Sequence, residues 1–202
     1  MQTWNDRNAY GWVALTLHWL AAIGVFTMLF TGFAAGIAED AHQDARHMAL
    51  MGIHFAVGVA FYIIFVARIA SHYLQQAPIE PDQSPALRFL ARATHNLLLA
   101  MIALQIVSGP LMIWSRARPI NAGFISIPSP FSVRVDSIHE IADVMHTVGR
   151  WSLVVLISLH ILGALKHLFL DRDGLFERIF VPGARVKTKA APIEAANAEK
   201  PG

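Results

Sequence analysis

Four apolar runs dominate this chain, and each is long enough to cross a bilayer. A membrane-spanning helix needs about 20 mostly apolar residues. The runs 12–35, 49–70, 93–114 and 144–170 meet that length. Hydrocarbon offers no partner for a backbone N–H or C=O, so each run must close its hydrogen bonds within itself, as a helix. The expected fold is therefore all-α: an integral membrane four-helix bundle over residues 1–182, followed by a mobile tail, 183–202. Only 15% of the residues are charged, against roughly 25% in soluble domains. Trp12, Trp114 and Trp151 lie toward span ends, as interfacial anchors do. The opening MQTWNDRNAYGW has neither a basic stretch nor a small-residue cleavage site, so the first run reads as a retained helix.

Several chemistries are excluded at once. The chain has no cysteine, which removes disulfides, thiolate metal sites, iron–sulfur clusters and covalently attached haem. It has no Lys/Arg stripe on a soluble domain, so nucleic acid is not an expected partner. Membrane lipid is.

The loops set the direction of the spans. The first, GIAEDAHQDARH, is acidic; the second contains the helix breaker PIEPDQSP; the third, 115–143, is the longest and reads as irregular with a short helix before the last span. With both termini on one side, 11 of the 16 Lys and Arg fall on that side and 5 on the other. The positive-inside rule then places both termini in the cytoplasm of a bacterial inner membrane.

Histidines sit inside the apolar runs. Histidine is costly in hydrocarbon unless it is paired or bound. Given the direction of the spans, His54 and His146 share the periplasmic side, and His18 and His160 share the cytoplasmic side. His146 and His160 are 14 residues apart, roughly 21 Å along a helix and close to four turns, so they face one way. Two bis-histidine b haems stacked across the bundle account for all four residues. His18 and His160 would hold the inner iron, and His54 and His146 the outer. Such an iron passes single electrons and leaves no position open for oxygen. Gly58, Gly149 and Gly163 follow three ligands by about one turn, where a flat macrocycle needs small residues. Two other readings compete: histidines that hydrogen-bond between helices, and a histidine-lined transporter without haem.

The segments LTLHWL around His18, MGIHFAVG around His54, and HTVGRWSLVVLISLHILGALKHLFLDRDGLFERI from His146 onward resemble the bacterial cytochrome b561 family, most closely its superoxide oxidase members. The likeness spans nearly all of residues 10–182 and is weakest in the third span and the loop after it. It implies a dihaem b bundle with the same ligand pairs. It also implies superoxide as the electron donor outside and ubiquinone reduced to ubiquinol near the inner haem. The alternative within that likeness is a non-catalytic membrane subunit linking the quinone pool to a partner redox protein. The histidine seven residues after the last ligand, which the resemblance puts at the quinone end, is His167; it is the candidate catalytic residue.

Other residues take supporting places. Lys166 and His95 are further quinone candidates. Arg150, inside the last span, needs an anion, and a haem propionate is the leading one; Arg68 and Arg92 are propionate candidates at the inner side. Arg46, Arg116, Arg118 and Arg134 could form a positive funnel for a small anion, although Glu39, Asp40, Asp44, Asp136 and Glu140 weaken it. His42, His47, His72 and His139 are expected at loops and boundaries, mostly as surface.

Overall fold

A computed structural model describes residues 2–80 and 83–185. Four long helices dominate it: α1 (Trp12–Asp40), α2 (Asp44–Leu74), α3 (Pro85–Trp114) and α4 (Asp136–Lys166). All four are long and apolar enough to cross a membrane. Their outward faces carry exposed large side chains such as Phe30, Ile63 and Val155. In water such faces would be a liability, and in lipid they are the solvated surface.

The bundle is two helical hairpins, α1 with α2 and α3 with α4, joined mainly through α2 and α3. The first hairpin closes by a short turn in which His42 adopts a positive φ. The connection to α3 ends in Ser84, whose hydroxyl caps Leu87 N–H with Pro85 in the first turn, the usual chemistry of a helix start. The ends of the bundle therefore differ. The α1–α2 turn and the long α3–α4 connection make one end, called here the hairpin end. The chain termini and the α2–α3 connection make the other, the terminal end.

An apolar plug lies between them. Ala21, Val25 and Phe65 are buried, packed by Leu29, Phe61, Ile64, Ile102, Ile106 and Ile157. Gly24 permits it: a Cβ there would fall 2.6 Å from Phe61 and 2.9 Å from Phe65.

The long connection differs from the irregular loop read from sequence. Ile120–Asn121 (β1) and Ser126–Ile127 (β2) form a small antiparallel hairpin, with Ile120 opposite Ile127. Two-residue strands are too short to leave an alternating pattern. The short helix expected before the last span is the first part of α4 itself, which starts at Asp136. At the terminal end, residues 172–184 fold back over the bundle. Trp19 Nε1 donates to Ile179 O at 2.7 Å, Phe180 stacks on Trp19, and Gly183 N–H donates to Tyr10 O. The rest of the predicted tail, 186–202, lies outside the described residues.

Candidate haem-binding sites

The four histidines form two pairs, one toward each end. At the hairpin end the His54 and His146 rings have centroids 6.4 Å apart. At the terminal end His18 and His160 are 6.1 Å apart. Two imidazoles sharing one metal through nitrogens about 2.0 Å from it have centroids roughly 6 Å apart. Neither pair makes a direct hydrogen bond between its rings.

A hydroxyl faces Nδ1 of each ring in the hairpin-end pair. The Thr31 hydroxyl lies 3.0 Å from His54 Nδ1 and donates its own hydrogen to Thr27 O at 2.7 Å. Nδ1 must then carry the proton, which leaves Nε2 with a free lone pair, as a metal ligand requires. On the other hairpin the Ser108 hydroxyl lies 3.2 Å from His146 Nδ1. A glycine follows each hydroxyl, Gly32 and Gly109, and a Cβ at either would sit 3.4 Å from the Cε1 of the histidine it faces. One helical interval away the arrangement repeats. His47 Nδ1 donates to Ala35 O at 3.1 Å, and His139 Nδ1 donates to Met112 O at 3.0 Å. Both are half-buried links between helices rather than the surface residues expected.

These matches follow one rule of register. Adding 77 to Thr31, Gly32 and Ala35 gives Ser108, Gly109 and Met112; adding 92 to His47 and His54 gives His139 and His146. The two hairpins are built alike. The same offsets relate His18 to His95, Arg68 to His160 and Gly58 to Arg150, so the halves differ at both ends, and at the terminal end they differ in the histidine pair itself. His95 lies 5.1 Å from His160, ring to ring, too close for the two to sit on opposite sides of one metal. His18 and His160 have no hydrogen-bond partner among the described residues, and Arg68 is within electrostatic reach of both.

A cavity of about 700 Å³ adjoins the hairpin-end pair, lined by His54, His146, Phe55, Gly58, Arg150 and mostly apolar neighbours. That is the size and character of a cofactor slot. Ile120 and Ile127 of the β-hairpin line it too. Three polar atoms on its lining residues are buried without a partner: Arg150 Nε, Trp114 Nε1 and Gln105 Oε1. An apolar plane with acidic substituents, which is what haem is, suits this lining. Of the glycines expected to make room for it, only Gly58 lines the cavity. Gly149 is packed by Gln105, and Gly163 has no heavy atom near where a side chain would start.

Other predicted residues divide. Arg92 is exposed and bonded to Glu80 through two nitrogens, away from the histidines. Arg116 donates to His139 Nε2 at 2.7 Å, Arg134 pairs with Asp136, and Arg46 reaches Gln43. Arg118 is exposed, with no ion pair among the described residues. His72 bonds Asn96. His167 and Lys166 join Asp171 and Asp173 at the end of α4. Sequence reasoning missed Arg178, which is 2% exposed. It donates to Ile79 O and lies over the Tyr10 ring, with Nε and Nη2 unpartnered. Burial lowers its pKa, while Tyr10 and Asp173 act in the opposite direction.

Two histidine pairs at metal-sharing distance, one beside an apolar slot within membrane-length helices, define a membrane-embedded haem protein of the b-type class. Comparison with known proteins agrees. The family model for prokaryotic cytochrome b561 matches residues 9–182, and the chain belongs to that family. It is also 28% identical over 179 residues to cytochrome b561 homolog 2 of Escherichia coli (strain K12), covering 87% of this chain and 93% of that protein. Membership implies b-haem electron transfer within the inner membrane, with quinone and lipid as the expected surroundings.

Proposed function

We propose that this protein carries electrons across the membrane through two b haems, one on His54 and His146 and one on His18 and His160. The observation behind this reading is the pair of metal-compatible histidine couples toward opposite ends of one bundle. A haem held by two of these imidazoles would supply one-electron chemistry without binding oxygen. The protein's own part is to fix the ring nitrogens, exclude water and supply charge. Thr31 holds His54 in the metal-binding tautomer, and Ser108 fixes the orientation of the His146 ring. Arg150 and Trp114 present N–H groups to acidic substituents there. Arg68 and Arg178 supply positive charge at the terminal end.

Both termini are cytoplasmic in this reading, so the hairpin end faces the periplasm. Superoxide is oxidised there, and ubiquinone is reduced at the terminal end, where His167 is the candidate proton donor. Arg118 adds positive potential at the entry side, whereas Arg134 is neutralised by Asp136. Superoxide should reduce the haems rapidly in a stopped-flow mixing experiment, and added ubiquinone should reoxidise them. No haem reduction above the buffer background overturns the superoxide step.

A second reading has its own observation. Phe124 and Ile125, between the two β-strands, are 68% and 48% exposed, on the loop that borders the hairpin-end cavity. Such a tip suits a docking protein that delivers electrons in place of superoxide. Phe124→Ser should then slow reduction by that donor while leaving reduction by superoxide unchanged.

A further inference from the structure

The last span does not end as an ordinary helix. α4 passes into a π-turn, His167–Asp171, and Arg172 then takes a left-handed conformation with its N–H donating to His167 O at 2.8 Å. Such widened turns recur at functional sites. Here the turn brings two carboxylates back onto one imidazole nitrogen. His167 Nδ1 lies 2.8 Å from Asp173 Oδ2 and 3.1 Å from Asp171 Oδ2.

Each carboxylate is held in its turn. Asp173 Oδ1 accepts Leu175 N–H at 2.9 Å, and Asp171 Oδ2 accepts Lys166 Nζ at 2.5 Å. An ionised carboxylate only accepts, so Nδ1 carries a hydrogen and Nε2 is the nitrogen left for another molecule. The side chains grade toward water: His167 is 12% exposed, Asp173 17%, Asp171 32% and Lys166 37%. The same His–Asp–Asp grouping could be read as a metal seat. The Lys166 ammonium on Asp171 opposes that, since it already occupies the carboxylate with a cation.

We infer that Asp173 is a positioning residue for quinone reduction: it fixes His167 so that Nε2–H faces a quinone oxygen. This rests on the reading that quinone is reduced at the terminal end. Reduction of one quinone to quinol takes two electrons, delivered singly from the b haem, and two protons. One of those protons leaves Nε2 of His167 protonated on both nitrogens, as the N–H bond breaks and the quinol O–H forms, and the neutral ring keeps its hydrogen on Nδ1 against Asp173. Water at the exposed Asp171–Lys166 edge returns a proton to His167 and supplies the other proton to the second oxygen.

The test uses the haem-loaded protein in detergent, with superoxide as donor and a short-chain ubiquinone as acceptor. Asp173→Asn keeps an oxygen for Leu175 and removes the carboxylate from Nδ1. Its kcat for quinone reduction should fall roughly tenfold, the scale of losing a partner that orients a histidine. KM, the haem spectrum and the rate of haem reduction by superoxide should stay unchanged. His167→Gln should lower kcat at least as far, and the double variant no further, because the two residues act as one unit. Asp173→Glu should restore part of the rate. Additive losses, full activity in Asp173→Asn, or haem loss from that variant each overturn the role given to Asp173. Full quinone turnover in His167→Gln with haem content intact overturns instead the placement of quinone at this end.

Discussion

The hairpin end and the terminal end hold their histidine pairs by different means. His54 and His146 occupy equivalent places in two hairpins built alike, and each ring has a hydroxyl on Nδ1 and a glycine beside it. His18 and His160 are not equivalent. Their mates are His95 and Arg68, and no hydrogen bond fixes either ring among the described residues. Hydroxyls and glycines hold the first site, with Arg150 in electrostatic reach of His146, whereas the second has only charge, from Arg68. A hydroxyl accepting from Nδ1–H makes Nε2 a stronger donor, which favours the oxidised iron. Arg68, beside the second pair, favours the reduced, less positive iron. In the proposed dihaem reading, the hydroxyls would lower the potential at the hairpin end, Arg150 would act against them, and Arg68 would raise the potential at the terminal end.

The largest test of this contrast removes a ligand. His54→Ala or His146→Ala should abolish the hairpin-end haem and leave the other, about halving haem per chain, since imidazole ligation is what holds the iron. His18→Ala or His160→Ala should do the reverse. Reduced-minus-oxidised spectra with quantified haem per chain distinguish the two losses. Loss of both haems from every variant would mean the ends are not independent.

The plug between the ends comes next. Gly24→Ala puts a methyl against Phe61 and Phe65, and overpacking of this kind costs about 1–3 kcal/mol. Thermal unfolding of the haem-loaded protein, followed at the haem band, should show the drop.

Smaller effects address the potentials directly. Thr31→Val and Ser108→Ala should each raise the midpoint of the hairpin-end haem and lower stability by about 1 kcal/mol, the net value of one hydrogen bond. Arg68→Gln should lower the midpoint of the terminal-end haem. A redox titration of the haem-loaded protein reads both shifts. A shift of the wrong sign in either overturns the effect given to that residue.

The smallest effect lies in the N-terminal segment at the terminal end. Backbone N–H groups of Asn8 and Ala9 donate to Asp6 Oδ1 at 2.7 and 2.8 Å and hold its carboxyl below the ordinary carboxylate range. Its contribution is present above the unfolded value of about 4 and is lost as pH falls through the lowered folded value. Emission from Trp4 should therefore show a slight acid loosening that Asp6→Asn lacks.

Spans and the pairing of the four histidines were legible in the sequence because each depends on position along a single helix. Apolar runs mark the depth, and histidines within them stand out. What was not legible depends on pairing between helices. Thr31 and Ser108 are ordinary membrane-helix residues until the 77-residue offset sets them side by side. His47 and His139 look like boundary residues until their seven-residue spacing from His54 and His146 is noticed. That repeated spacing was the available signal. Arg178 and Asp173 gave no such signal, because a chain reversal after α4 brings them into place. Arg92 drew attention by its nearness to His95 in sequence, yet Glu80 takes it to the surface.

The likeness of the two hairpins bears on polarity. A single hairpin paired with a copy of itself about a two-fold axis would already make the His54–His146 arrangement. It could not make the other, because a symmetric pair would carry arginine, or histidine, at both 68 and 160. A wire with identical halves has no preferred sense. Arginine against histidine at 68 and 160, and glycine against arginine at 58 and 150, give the bundle axis a direction that two identical halves would lack.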